Sequence, residues 1–130
     1  MKGILLVGLG GFAGSVARYK LGGLVLHLTA QERFPWSTFA INVAGCLLAG
    51  LLAGLAEEYD FFGPEARLLV FTGLLGGFTT FSAFGLDALF LLRRGEIATA
   101  LLYAGGSVVV GLAAAWVGWR LVALAAAGHP

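Results

Sequence analysis

The chain of 130 residues has a hydrophobic fraction of 59% and a charged fraction of 12%, against roughly 45–50% and about 25% in soluble domains. A soluble protein of this size buries too little surface to hide so many apolar side chains, so the composition predicts a membrane protein. The formal net charge of +1 argues against nucleic-acid binding, which requires a clustered basic surface.

Four apolar stretches are long enough to cross the hydrocarbon core of a bilayer, which requires about 20 residues. They cover residues 4–28, 36–56, 66–92 and 97–126. A backbone in lipid must satisfy its own hydrogen bonds, so each stretch is predicted to be a helix. The short connectors predict that consecutive helices are antiparallel neighbours within one four-helix domain, residues 1–130. The arginines and lysines favour neither side strongly, which is compatible with insertion in both orientations.

The first two spans carry small residues and a few polar ones. Gly10 and Gly14, four positions apart, form a pair that lets helix backbones approach closely. Arg18 follows on the same span and is expected to extend toward the membrane interface. On the second span Thr38 and Asn42 are one turn apart and share a face. The Asn42 amide can donate two hydrogen bonds, either to another helix or to a ligand.

The third span has an unusual composition over residues 71–85, which include four glycines and the adjacent Thr79 and Thr80. These residues weaken regular helix, and the sequence predicts a break near Gly76 to Thr79. Unwound backbone at membrane depth is tolerated only where protein or a polar cavity covers it. Its carbonyls can coordinate a cation, and the N-terminus of the following helix offers N–H groups to an anion. The alternative is a glycine kink that serves only helix packing.

Aromatic and polar side chains follow the predicted break. Phe81 and Phe84 share a helix face, and the positive edges of their rings can attract an anion, although lipid contact or core packing is the commoner use of such residues. Asp87 lies toward the end of the span, where a carboxylate is either close to water or paired, and Arg18 is a candidate partner. Thr80 lies two turns before Asp87.

Tyr103 and Ser107 on the fourth span are one turn apart on one face. Their hydroxyls form a polar stripe, or they satisfy carbonyls of their own helix. No nucleophile–base pair, phosphate-binding loop or metal-ligand spacing occurs in the sequence, so it does not predict an enzyme.

Three motifs occur in order through nearly the whole chain. They are Gly10-Gly11-x-x-Gly14 leading to Arg18-Tyr19, Thr38-x-x-x-Asn42-x-x-Gly45, and Thr72-Gly73-x-x-Gly76-Gly77-x-Thr79-Thr80-Phe81-Ser82-x-Phe84. With these motifs the sequence resembles the Fluc/CrcB family of fluoride channels, and the third motif is the most specific of them.

The resemblance implies an all-α membrane protein with four transmembrane helices per subunit, a broken third helix and an antiparallel dual-topology homodimer. It implies a fluoride-selective ion channel of the cell (inner) membrane, with two pores per dimer, that exports fluoride passively and so protects against its toxicity. It also implies a structural sodium ion at the dimer two-fold axis, held by backbone carbonyls of Gly76 and Thr79 of each subunit.

The same matching implies which residues line the fluoride pathway. They are Asn42, Phe81, Phe84, Ser82, Thr38, Thr80, Tyr103 and Ser107, with Arg18 and Asp87 in structural or electrostatic roles. The sequence departs from the family pattern at Ala83, where threonine is frequent, at Gly111, where a third hydroxyl can occur, and at Asp87, often a glutamate.

Two other functions remain open from the residues alone. A small multidrug-type exporter also has four helices, but it needs an acidic residue in its first span, and none occurs between residues 4 and 28. A non-transporting subunit of a membrane assembly would use the broken helix only for packing. Whether the chain pairs with itself or with a related partner also stays open.

Overall fold

The computed structural model describes residues 1–30, 32–59 and 62–127, and every regular element in these ranges is helical. The elements are α1 (Lys2–Leu28), α2 (Trp36–Glu58), α3 (Pro64–Arg67), a π-helical segment (Leu68–Leu75), α4 (Gly76–Phe78), α5 (Phe81–Arg93) and α6 (Ile97–Ala127). The elements from Pro64 to Arg93 together form the third span. All four spans are long and apolar enough to cross a membrane. The four predicted spans agree with these helices, with bounds that differ by no more than two residues.

The closest packing joins alternate rather than consecutive spans. The most extensive contacts are between α2 and α6 and between α1 and the third span, whereas α1–α2 and α5–α6 contacts are smaller. Consecutive helices are therefore in contact, as expected, but they are not the most extensively packed pairs. Glycines explain the difference, because a Cβ atom at Gly50 would overlap the Ala115 carbonyl, and one at Gly118 would overlap that of Leu47. Short loops constrain only the helix ends, while these glycines bring α2 and α6 together along their length.

The π-helical segment lies against the glycine face of α1. A Cβ atom at Gly10 would overlap the Leu69 carbonyl oxygen, and one at Gly14 would overlap the Leu74 carbonyl oxygen. A π-helix is wider than an α-helix and is often found at functional sites. The Leu69 and Leu74 carbonyls of this segment lie against α1, so the predicted Gly10–Gly14 pair does permit a close backbone approach.

The third span breaks at Thr79 and Thr80, at the C-terminal end of the predicted region. Both residues are extended, with ψ of 160° at Thr79 and φ of −151° at Thr80. The hydroxyl of Thr80 then caps α5 by accepting a 3.2 Å hydrogen bond from the Ala83 N–H. Gly77 is helical, and its role is close packing against α1. A Cβ atom there would lie 2.5 Å from the Gly11 carbonyl oxygen. The break thus falls on the β-branched residues, which favour extended backbone.

Candidate functional site at the helix break

Asn42 holds the extended backbone of the break in place. Its Nδ2 donates to the Thr80 carbonyl at 3.0 Å, and its Oδ1 accepts from the Thr80 N–H at 2.8 Å. The side-chain amide therefore pairs with Thr80 as a neighbouring strand would. Because an amide nitrogen carries two hydrogens, one N–H of Asn42 remains for a further acceptor. Both functions considered from the sequence, helix contact and ligand donor, are compatible with this arrangement.

The break separates the carbonyls of residues 76–79 from their helical donors, and those of Gly76 and Thr79 are two of them. In a continuous helix the Gly76 carbonyl would accept from the Thr80 N–H, but that N–H donates to Asn42. The Thr79 carbonyl would accept from the Ala83 N–H, but that N–H donates to the Thr80 hydroxyl. Within the described residues neither carbonyl receives another backbone hydrogen bond. Gly76 and Thr79 therefore present free oxygens at membrane depth.

A cavity of about 390 Å³ opens between α2, the break and α6; we term it the central cavity. Five of the residues that the sequence predicts for the fluoride pathway line it: Asn42, Thr80, Phe81, Phe84 and Ser107. The cavity also contacts Thr79, Gly45 and Cys46. Gly45 leaves room for Thr79, whose methyl group would overlap a Cβ atom at that position. The fold thus brings residues from three spans, far apart in sequence, to one place.

The aromatic rings form a chain that leads from the surface into the helix bundle. The Phe81 and Phe84 ring centroids are 5.5 Å apart, and those of Phe84 and Tyr103 are 5.2 Å apart. Phe81 is 84% exposed in the single chain, whereas Tyr103 is fully buried. Ser82 is also exposed, with its hydroxyl 3.3 Å from that of Thr80.

Asp87 is bound by two hydroxyl groups rather than by a basic side chain. One carboxylate oxygen, Oδ2, accepts from Thr38 Oγ1 at 2.6 Å and from the Tyr103 hydroxyl at 3.3 Å. Thr38 and Asp87 also line a second cavity of about 390 Å³, next to the loop between α1 and α2, which we term the loop-side cavity. Arg33 and Arg94 lie at its surface. The carboxylate therefore joins α2, α5 and α6 at the inner end of a polar cavity.

The candidate pairing of Arg18 with Asp87 is wrong. Within the described part of the chain the ion pair that forms is Lys2–Glu65, at 2.5 Å. Arg18 is partly exposed on α1, which packs against the π-helical segment and α4, whereas Asp87 faces α2 and α6. The two side chains are therefore on different sides of the third span.

A third cavity, which was not predicted from the sequence, lies between the end of α2 and the start of the third span. It has a volume of about 500 Å³, and Thr72, Arg67 and Glu57 are among the residues that line it. We term it the α2-end cavity. No spacing along one helix indicated this cavity, because its lining comes from two spans.

Comparison with known proteins places these features in a family. The family model described as "CrcB-like protein, Camphor Resistance (CrcB)" matches residues 5–119. A protein of Methylobacillus flagellatus named "Fluoride-specific ion channel FluC" is 53% identical over 122 residues, covering 94% of this chain and 95% of that protein. Proteins of the same name from Thermus thermophilus and Flavobacterium psychrophilum are 49% and 46% identical over 121 and 118 residues. These matches cover 93% and 91% of this chain, and 95% and 94% of the relatives.

The family match covers most of the chain and includes the break, the central cavity and the Asp87 hydroxyl pair. The relatives are well above the identity at which a shared fold is expected, and their lengths match this chain almost completely. The four spans make this a multi-pass membrane protein. The chain belongs to the CrcB-like protein family.

Proposed function

We propose that this protein is a fluoride-selective channel, a transport protein rather than an enzyme, that lets fluoride leave the cell passively. The observation that carries the proposal is the likeness, over more than nine-tenths of the chain, to proteins named as fluoride-specific ion channels. The proposed location is the cell inner membrane, and the proposed benefit is protection from accumulated fluoride.

The three cavities support this function because they follow one face of α2 in sequence. Thr38 lines the loop-side cavity, Asn42 and Ala49 line the central cavity, and Ala53 and Glu57 line the α2-end cavity. These residues recur every three to four positions or at multiples of that spacing, so they share a helix face. From Thr38 to Glu57 the helix rises about 29 Å, close to the roughly 30 Å of a bilayer core. The three separate cavities therefore follow one another along a length close to the thickness of the membrane.

The lining of the central cavity suits a small anion that must lose its water. The remaining N–H of Asn42 and the hydroxyl of Ser107 are hydrogen-bond donors on the wall of this cavity, where they can contact a bound anion. The positive ring edges of Phe81 and Phe84 add attraction without a fixed charge that would trap the ion. A narrow, fixed lining of this kind can replace the water of fluoride while excluding the larger chloride. Thr38, Thr80, Ser82 and Tyr103 are proposed to extend the same pathway.

Sodium is proposed as a structural ion at the break. The carbonyls of Gly76 and Thr79, freed as described above, are oxygen ligands of the kind that unwound membrane helices offer to sodium. One subunit supplies two such oxygens, and a second copy related by a two-fold axis would supply two more. When bound, the ion would supply a positive charge that holds the two breaks together.

The exposed surface supports an assembly of two copies. Phe81, beside the central cavity, is 84% exposed in the single chain, so the proposed pathway is open on one side. A two-fold dimer would cover this residue with the same region of its partner. The weak bias in positive charge agrees with subunits that insert in opposite orientations, so we propose an antiparallel homodimer.

Fluoride efflux from liposomes that contain the purified protein tests the function. A fluoride electrode would record rapid release in the presence of sodium, while chloride release measured in parallel would stay near that of empty liposomes. Phe81→Ile is expected to slow fluoride release, whereas Phe12→Ile is the matched control, because Phe12 is also exposed but lines none of the three cavities. No fluoride release from folded protein, or equal release of both ions, would contradict the proposal.

A further inference from the structure

The α2-end cavity contains an arginine that has no acidic partner among the described residues. Arg67 Nε donates to the Phe62 carbonyl at 3.1 Å, and no described carboxylate lies within 4.0 Å of its guanidinium. A guanidinium carries five N–H donors, so four remain after this bond. The bond to the backbone fixes the side chain and leaves its charge available at the cavity.

The carboxylate in the same cavity is bound to another residue. Glu57 Oε2 accepts from the Trp119 Nε1–H of α6 at 2.8 Å. Glu57 and Arg67 therefore line one cavity without forming an ion pair, each held by a different partner. Because no ion pair forms between them, the guanidinium of Arg67 keeps its remaining N–H groups for another ligand.

Thr72 supplies a hydroxyl on the third-span wall of the cavity. The Thr79 hydroxyl donates to the Leu75 carbonyl at 2.9 Å, but the Thr72 hydroxyl has no hydrogen-bond partner among the described residues. Thr72 is exposed, and the small Ala53 and Ala56 lie on the opposite wall of the cavity. Leu75, the next turn of the third span, lines the central cavity. Thr72 thus lies between Arg67 and the central cavity.

We propose that the α2-end cavity is an anion-binding entrance to the pathway, with Arg67 as the charge that concentrates the anion and Thr72 as the first hydroxyl donor. This inference rests on the proposed function and adds a second site to it. An arginine at a cavity mouth raises the local anion concentration, and it does so most at low ionic strength. The Thr72 hydroxyl then replaces the first water that the ion loses.

Single-channel conductance of fluoride in planar bilayers tests the role of Arg67. At about 10 mM salt, where the screening length is about 30 Å, Arg67→Gln is expected to lower the conductance on the order of threefold. At about 1 M salt, where that length is about 3 Å, the difference should disappear. Arg67→Lys keeps the charge and should conduct like the original protein at both concentrations. The matched control is Arg120→Gln, since Arg120 lies 6.0 Å over the Trp116 ring and outside the cavity.

A second pair of variants tests the hydroxyl. Thr72→Val has the same shape without the donor and should lower conductance at both salt concentrations, whereas Thr72→Ser should retain it. Equal conductance of Arg67→Gln and the original protein at low salt would overturn the proposed entrance, as would an equal loss at both concentrations. An original protein without fluoride current would instead refute the proposed function, so the two failures are distinguishable.

Discussion

Replacing Asn42 with alanine should release the extended backbone at the helix break. The substitution removes both hydrogen bonds to Thr80, at 3.0 and 2.8 Å. Each such bond contributes about 1 kcal/mol net, so the pair stabilises the ordered break by about 2 kcal/mol. This corresponds to a change of roughly 30-fold in the equilibrium between ordered and opened break, at about 1.4 kcal/mol per factor of ten. The central cavity depends on this backbone, so fluoride transport should fall with it.

Hydrogen–deuterium exchange at the Thr80 amide measures this opening directly. Asn42→Ala should reduce its protection roughly 30-fold, together with slower fluoride efflux from liposomes. Asn42→Asp should have an intermediate effect on exchange, because a carboxylate still accepts from the Thr80 N–H but cannot donate to its carbonyl. Cys46→Ala is the matched control, since Cys46 lines the same cavity without a hydrogen bond among the described residues. Unchanged protection at Thr80 in Asn42→Ala would refute the assigned hydrogen-bonding role.

Three further outcomes follow from the packing, the Asp87 bonds and the freed carbonyls. Gly10→Ala should lower the thermal stability of the purified protein, because the added Cβ would overlap the Leu69 carbonyl, while Gly8→Ala should not, since nothing lies within 4 Å of that position. Equal melting temperatures would contradict the packing argument. Asp87→Leu should also lower the melting temperature, because it leaves two hydroxyl donors unpaired inside the bundle at a cost of about 1–3 kcal/mol each; no loss would exclude a structural role for this carboxylate. Exchange of sodium for a large organic cation should shift the protein from dimer to monomer in size-exclusion chromatography, and an unchanged dimer would contradict the sodium proposal.

The spans and the existence of the break were predictable because they depend on local sequence. Apolar length determines the helices, and a pair of β-branched residues beside glycines identifies the break. The exact position of the break within Gly76 to Thr79 did not follow from the sequence, because glycine is both a helix breaker and a packing residue. Gly77 turned out to serve packing against Gly11.

The partners of the polar side chains were not predictable from spacing along one helix. Asp87 was considered with Arg18, yet its hydrogen bonds come from Thr38 on α2 and Tyr103 on α6. Which helices are neighbours decides such partners, and that depends on close backbone contacts such as that of Gly50 with Ala115. The spacing of residues along the chain shows which of them share a helix face, but it does not show which neighbouring helix packs against that face.

The broken helix is stabilised in this fold because side chains replace several of the backbone hydrogen bonds that the break removes. Asn42 satisfies both backbone groups of Thr80, and the Thr80 hydroxyl satisfies the N–H of Ala83. The carbonyls of Gly76 and Thr79 are among those that keep no backbone donor in the described residues, and a carbonyl left unpaired in lipid would cost several kcal/mol. Two oxygens are fewer than the ligands that hard cations usually take. The proposed second chain would double the number of these oxygens, so the sodium proposal depends on the dimer proposal.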